Sequence, residues 1–219
     1  MSITKFLFDS RTRVTSGYIL LGLLIIQLFV ITLLPRDWQR LSQEICGTLI
    51  LLVLGLTLVH WRKIFIPLLI TVVILEEISI LLKMEILNTI LMLINILLFV
   101  IIIGIYIIQT SRASKVDASV ILQSINGYLL LAMISSLLIG IILNYDTGAF
   151  SFPDSFDIAN ITLSEVQYVG LVTISTLGYG DIYPLTPIAR SVTTFIAVSG
   201  LLYIAIIIAL LVGKFSNTK

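Results

Sequence analysis

The chain has 219 residues, of which 58% are hydrophobic and only 11% charged, with a formal net charge of +1. Soluble domains of this length carry about a quarter charged residues, and a mean hydropathy of +1.15 excludes that class. The near-neutral balance gives no global field for a nucleic-acid partner, and a single cysteine, Cys46, excludes an intrachain disulfide.

A hydrocarbon core of ~30 Å takes ~20 apolar residues of helix. By that measure six spans are expected, at 17–34, 46–61, 64–82, 87–109, 118–143 and 188–213. The first follows Lys5, Arg11 and Arg13. No small-x-small cleavage site follows it, so it reads as an uncleaved span rather than a signal peptide. Cys46 reads as an apolar filler, and the lone His60, beside Trp61 and Arg62, as an interfacial residue. Pro67 stands in the first turn of the third span, where proline is tolerated. Glu76 and Glu77 follow in the same span. They are either a protonatable pair inside the membrane or the outer end of a span that stops near Leu75. Asn88 and Asn95 in the fourth span read as interhelical hydrogen-bonders.

Orientation follows the basic residues. With the N-terminus inside, nine of the 13 lie at cytoplasmic ends: Lys5, Arg11, Arg13, Arg62, Lys63, Arg112, Lys115, Lys214 and Lys219. The expectation is a multi-pass protein of the cell membrane with both termini cytoplasmic. The outer segment 144–165 has no Lys or Arg but carries Asp146, Asp154, Asp157 and Glu165. It is an ordinary solvated loop or a vestibule that concentrates cations. Asn160-Ile161-Thr162 also fits a glycosylation acceptor, which carries weight only in a secretory pathway.

The apolar run 164–175 is too short to cross and leads into "TISTLGYGD", Thr173 to Asp181. Non-helical backbone at membrane depth is tolerated only when buried in protein or lining a water-filled path. Glycine readily takes positive φ. Gly178 and Gly180, alternating with Leu177 and Tyr179, can therefore turn successive carbonyls to one side. The carbonyls of Thr176, Leu177, Gly178 and Tyr179, with the Thr176 hydroxyl, would form one wall of a column of oxygens.

This stretch resembles the potassium-channel signature T-x-[TS]-T-x-G-Y-G-D, matched at Thr173, Ser175, Thr176, Gly178, Tyr179, Gly180 and Asp181. With its flanking helices the resemblance extends over about 118–213. It implies an all-α membrane protein with six transmembrane helices, a re-entrant pore helix and a selectivity-filter loop. It further implies a homotetramer around one pore, with K⁺ as permeant ion on Thr176 to Tyr179 and no other cofactor. Gly180 and Asp181 complete the filter, Thr173 and Ser175 belong to the pore helix, and the Tyr179 ring braces the carbonyls. Three positions depart from the pattern. Leu177 replaces the commoner valine. Val172 stands where some bacterial members have a glutamate that pairs with the filter aspartate, so Asp181 should lack that partner. Val169 stands where many have a tryptophan behind the tyrosine.

Six spans and a pore loop also resemble voltage-gated channels. Yet the fourth span, 86–110, contains no basic residue. A sensor needs Arg or Lys inside the field, each charge being worth ~2.3 kcal/mol per 100 mV. The expected organisation is a degenerate four-helix domain, 1–116, and a pore domain, 117–219. In the last span, Gly200 is either a hinge or a close-packing position. Ile204, Ile208 and Val212 follow on one helical face, suited to an apolar gate. No enzyme is expected: there is no Cys/His cluster, no nucleophile with a base and no phosphate loop. Two rival readings are a subunit of a K⁺ transporter and a non-conducting regulatory subunit.

Overall fold

In a computed structural model of the chain, the structure describes residues 10–57, 84–113, 116–153 and 162–216, with isolated positions between 67 and 82. His60, Glu76, Glu77 and the acidic residues Asp154 and Asp157 lie outside the described residues, as do nine of the 19 residues of the expected third span, 64–82. The protein is an all-α membrane protein. Among the described residues, four helical stretches are long and apolar enough to cross a bilayer: Val14–Leu33, Thr89–Arg112, Ala118–Tyr145 and Pro187–Lys214. Chain contacts divide the molecule into two compact units, Met1–Gly127 with Lys214–Lys219, and Tyr128–Gly213.

The first unit opens with α1 (Ser10–Ile25), which runs through a π-helical turn, Ile26–Val30, into a 3₁₀ turn, Ile31–Leu33. The corner before α2 (Arg36–Thr57) is closed by the Gln39 side chain. Its Nε2 donates to the carbonyls of Thr32, at 3.2 Å, and Leu34, at 2.9 Å. Leu20, Leu24, Leu28 and Ile31 recur at helical spacing and are buried, as are Cys46, Ile50 and Leu54 of α2. The Cys46 thiol donates to the Leu23 carbonyl at 3.4 Å. α2 starts at Arg36, ahead of the apolar run expected from 46, because its first turns are a polar helical extension of that run.

α3 (Glu85–Arg112) buries Leu91, Asn95, Leu98, Phe99, Ile102 and Tyr106 along one face, and its one basic residue, Arg112, is in the last turn. Its C-terminal carbonyls, orphaned as at any helix end, receive a cation. The Lys214 ammonium donates to the carbonyls of Thr110 and of Ala113, the latter at 2.6 Å. The N-terminal part of α4 (Ala118–Tyr145) is joined to α1 where Asn126 Nδ2 donates to the Gly17 carbonyl at 3.0 Å.

The second unit contains the rest of α4, α5 (Leu163–Ile174) and α6 (Pro187–Ser216). Between α4 and α5 lies the two-residue strand β1 (Phe150–Ser151), which pairs antiparallel with β2 (Tyr183–Pro184). The Leu185 amide continues the pairing onto the Ala149 carbonyl at 2.8 Å. The chain leaving the glycine stretch is thus tied to the chain leaving α4. α6 begins with Thr186 accepting from the Ala189 amide at 3.3 Å and with proline at its first position. Ala189, Thr193, Ile196, Gly200, Tyr203 and Ile207 form its buried face. The Tyr203 ring meets that of Tyr128 with centroids 6.1 Å apart.

Candidate ion-conducting site

α5 is short because both ends are specified by side chains. At its start, Thr162 and Glu165 form a capping box. The Thr162 amide donates to Glu165 Oε2 at 2.7 Å, and the two side chains are also bonded. At its end the Ser175 hydroxyl donates back to the Leu171 carbonyl at 2.7 Å.

The residues after α5 use the helix's last carbonyls. The Thr176 amide donates to Thr173 O at 3.0 Å, Leu177 to Val172 O at 3.1 Å and Gly178 to Val172 O at 3.4 Å. Helix-terminal acceptors that need partners are thereby satisfied, and the amide edge of the stretch is held on α5. Three residues have positive φ: Thr176 at 61°, Gly178 at 54° and Gly180 at 78°. They alternate with Leu177 and Tyr179, as required to turn successive carbonyls the same way. The sequence points to the two glycines for this role. Thr176 is the unexpected member, a β-branched residue in a region it rarely adopts. Among the described residues, no hydrogen-bond donor reaches the carbonyls of Thr176, Leu177, Gly178 or Tyr179. Such a run of uncommitted oxygens can take the place of a cation's hydration shell.

Asp181 does have a side-chain partner. The Tyr168 hydroxyl donates to its Oδ2 at 2.6 Å. Val172 and Val169 are apolar and offer no polar group, as read from the sequence. The donor is instead on α5 one position before Val169, an aromatic residue that sequence reasoning passed over. The hydrogen bond from Tyr168 holds the Asp181 carboxyl below its usual range. The same bond pushes the phenol up to about 12, so it stays protonated and able to donate.

α5 is packed at glycines. A Cβ on Gly170 would stand 2.6 Å from Ser136 Oγ and 2.9 Å from the Ser136 amide nitrogen of α4. A Cβ on Gly200 would overlap the Ile174 carbonyl oxygen and stand 2.8 Å from Ile174 Cγ1. Gly200 lies within an unbroken α6. Ile204, Ile208 and Val212 are all exposed along that helix.

Residues 127–217 match the ion-channel family model. Potassium voltage-gated channel subfamily A member 6 of Mus musculus is 32% identical over 84 residues, which is 38% of this chain and 16% of the relative. The human protein of that name matches over the same shares at 32%. A Rhodopseudomonas palustris protein, provisionally named as a potassium channel, is 36% identical over 56 residues, 26% of this chain and 14% of its own length. The alignments thus span about a sixth of these relatives or less. No solved structure matches the chain. In this multi-pass membrane protein, residues 127–217 are thus similar to ion-channel domains, and the relatives matched there are named as potassium channels.

Proposed function

We propose that the protein is a potassium-selective channel that conducts K⁺ passively through a pore built from four copies of the chain. The observation that carries this is the segment Thr176–Gly180, with φ positive at every second residue and the amides of Thr176, Leu177 and Gly178 fastened to α5. In this reading the carbonyls of Thr176, Leu177, Gly178 and Tyr179 and the Thr176 hydroxyl bind dehydrated K⁺. Gly180 and Asp181 form the outer mouth, and α5, with Thr173 and Ser175 in its last turn, directs its negative dipole end toward the ion path. One chain supplies one wall, so a closed ring requires neighbours. Leu177, 59% exposed, and Tyr179, 68% exposed, are large side chains left uncovered in a single chain, which supports that requirement.

The pore domain runs from about 117 to 219, behind a four-helix domain without sensor charges. Both termini are cytoplasmic in the cell membrane. Ile204, Ile208 and Val212 form an apolar constriction that closes by expelling water. The stretch 173–181 keeps both glycines, the tyrosine and the aspartate of a potassium filter, which favours a conducting channel over a transporter or regulatory subunit. Purified protein in liposomes tests the reading. It should take up Rb⁺ against a K⁺ gradient and run in detergent as four copies of the 24.3 kDa chain. A conducting monomer or dimer, or uptake equal for Na⁺, contradicts it.

A further inference from the structure

α6 comes close to α5 at a residue with no side chain. Gly200 is buried, and the atom that a Cβ there would strike is the backbone oxygen of Ile174, which no rotamer change can move aside. Ile174 is itself 1% exposed and so has no room to retreat. It is the last residue of α5, two before Thr176 with its φ of 61°. One helical turn earlier, Gly170 meets the backbone of α4 at Ser136. α5 is thus gripped at positions i and i+4, by the backbone of α4 on one and by the backbone of α6 on the other.

From this geometry we infer that Gly200 is a positioning residue for the filter. It seats α6 on the terminal carbonyl of α5 and, with Gly170, fixes where the Thr176–Tyr179 carbonyls stand. The inference rests on the potassium-filter reading above. A side chain at 200 displaces Ile174. That displacement passes directly along the chain to Thr176 and through Val172 O to the bonded amides of Leu177 and Gly178. Carbonyl positions in a site of this kind tolerate little looseness. Gly213 of the same helix differs: a Cβ there meets nothing within 4 Å.

The experiment compares the parent, Gly200→Ala and Gly213→Ala as purified, reconstituted full chains. Thermal stability is titrated with K⁺ against Na⁺, and the K⁺ over Na⁺ permeability ratio is measured in parallel. Ligand binding to the folded state raises stability with concentration, so the K⁺ midpoint reports the filter directly. Gly200→Ala should raise that midpoint by about tenfold and lower the permeability ratio, while Gly213→Ala changes neither. A Gly200→Ala protein with the parent's midpoint and ratio, whatever its open probability, overturns the seat and returns Gly200 to a hinge. Should that variant not assemble alone, assemblies formed from parent and Gly200→Ala chains mixed three to one decide. A raised midpoint supports the seat and an unchanged one overturns it. A parent without any K⁺ response removes the filter reading and the seat with it, whereas a responsive parent with an unaltered Gly200→Ala removes the seat alone.

Discussion

Tyr168 and Asp181 are hydrogen-bonded at 2.6 Å, joining the middle of α5 to the residue that ends the glycine stretch. Both side chains reach solvent, and the bond closes the loop between its two ends. Removing it by Tyr168→Phe leaves the ring in place and takes away the side-chain hydroxyl that donates to the carboxylate. We expect the filter to lose conduction during sustained opening about two- to fivefold faster, the range of a solvent-screened charged bond, with ion preference retained. Macroscopic current decay under constant K⁺ measures this, and an unchanged decay rate would show the bond to be idle.

The same pair sets a pH response. The Asp181 carboxyl titrates below the ordinary carboxylate range because the Tyr168 hydroxyl favours the charged form. Its contribution is therefore fully present above the ordinary carboxylate pKa and is lost as pH falls through the lowered value. Flux should stay flat from neutrality down to about pH 4 and fall only below it. In Tyr168→Phe the fall should begin at higher pH. Tyr168, at about 12, does not titrate in this range. Flux against pH on the filter side, in parent and variant, is the check; coincident acid limbs would rule out the linkage.

Ile208 is 55% exposed and Val212 60% on α6, on the face proposed to line the pore. Ile208→Asn should wet that constriction and raise resting K⁺ flux severalfold, leaving K⁺ over Na⁺ preference as in the parent. A correctly assembled variant with the parent's resting flux would move the gate away from this helix.

α3 holds no basic residue before Arg112 in its last turn. No charge in it crosses the field, so open probability should change little between −100 and +100 mV, where each transferred charge would contribute ~2.3 kcal/mol per 100 mV. A current–voltage series in symmetrical K⁺ tests this, and steep activation equivalent to several charges per assembly would refute it.

What could be read from the sequence differs by feature, for physical reasons. The apolar runs at 87–109, 118–143 and 188–213 announce helices, because length and hydropathy alone decide a span. Gly178 and Gly180 announce positive φ because glycine bears no steric penalty there. Thr176 could not be read this way: its φ is imposed by amides captured on α5 and not by its own preference. Tyr168 is not legible as a partner because its donor lies 13 residues before Asp181, and only the turn of the chain after α5 brings the two together. Gly200 admits two readings because a missing side chain serves bending and packing equally, and its nearness to the Ile174 carbonyl is a tertiary contact that no periodicity reveals. The short pairing of Phe150–Ser151 with Tyr183–Pro184 is invisible to periodicity, being two residues long on each side.

The central claim is that Thr176–Tyr179 selects K⁺, and a bi-ionic reversal potential tests it most directly. With K⁺ on one side of a planar bilayer and Na⁺ on the other, the purified protein should reverse far toward the K⁺ equilibrium potential. Gly178→Ala should abolish that selectivity, since a Cβ at φ 54° costs about 1–2 kcal/mol in each copy. A reversal potential near 0 mV for the unmutated protein, with comparable Na⁺ and K⁺ currents, would contradict the account.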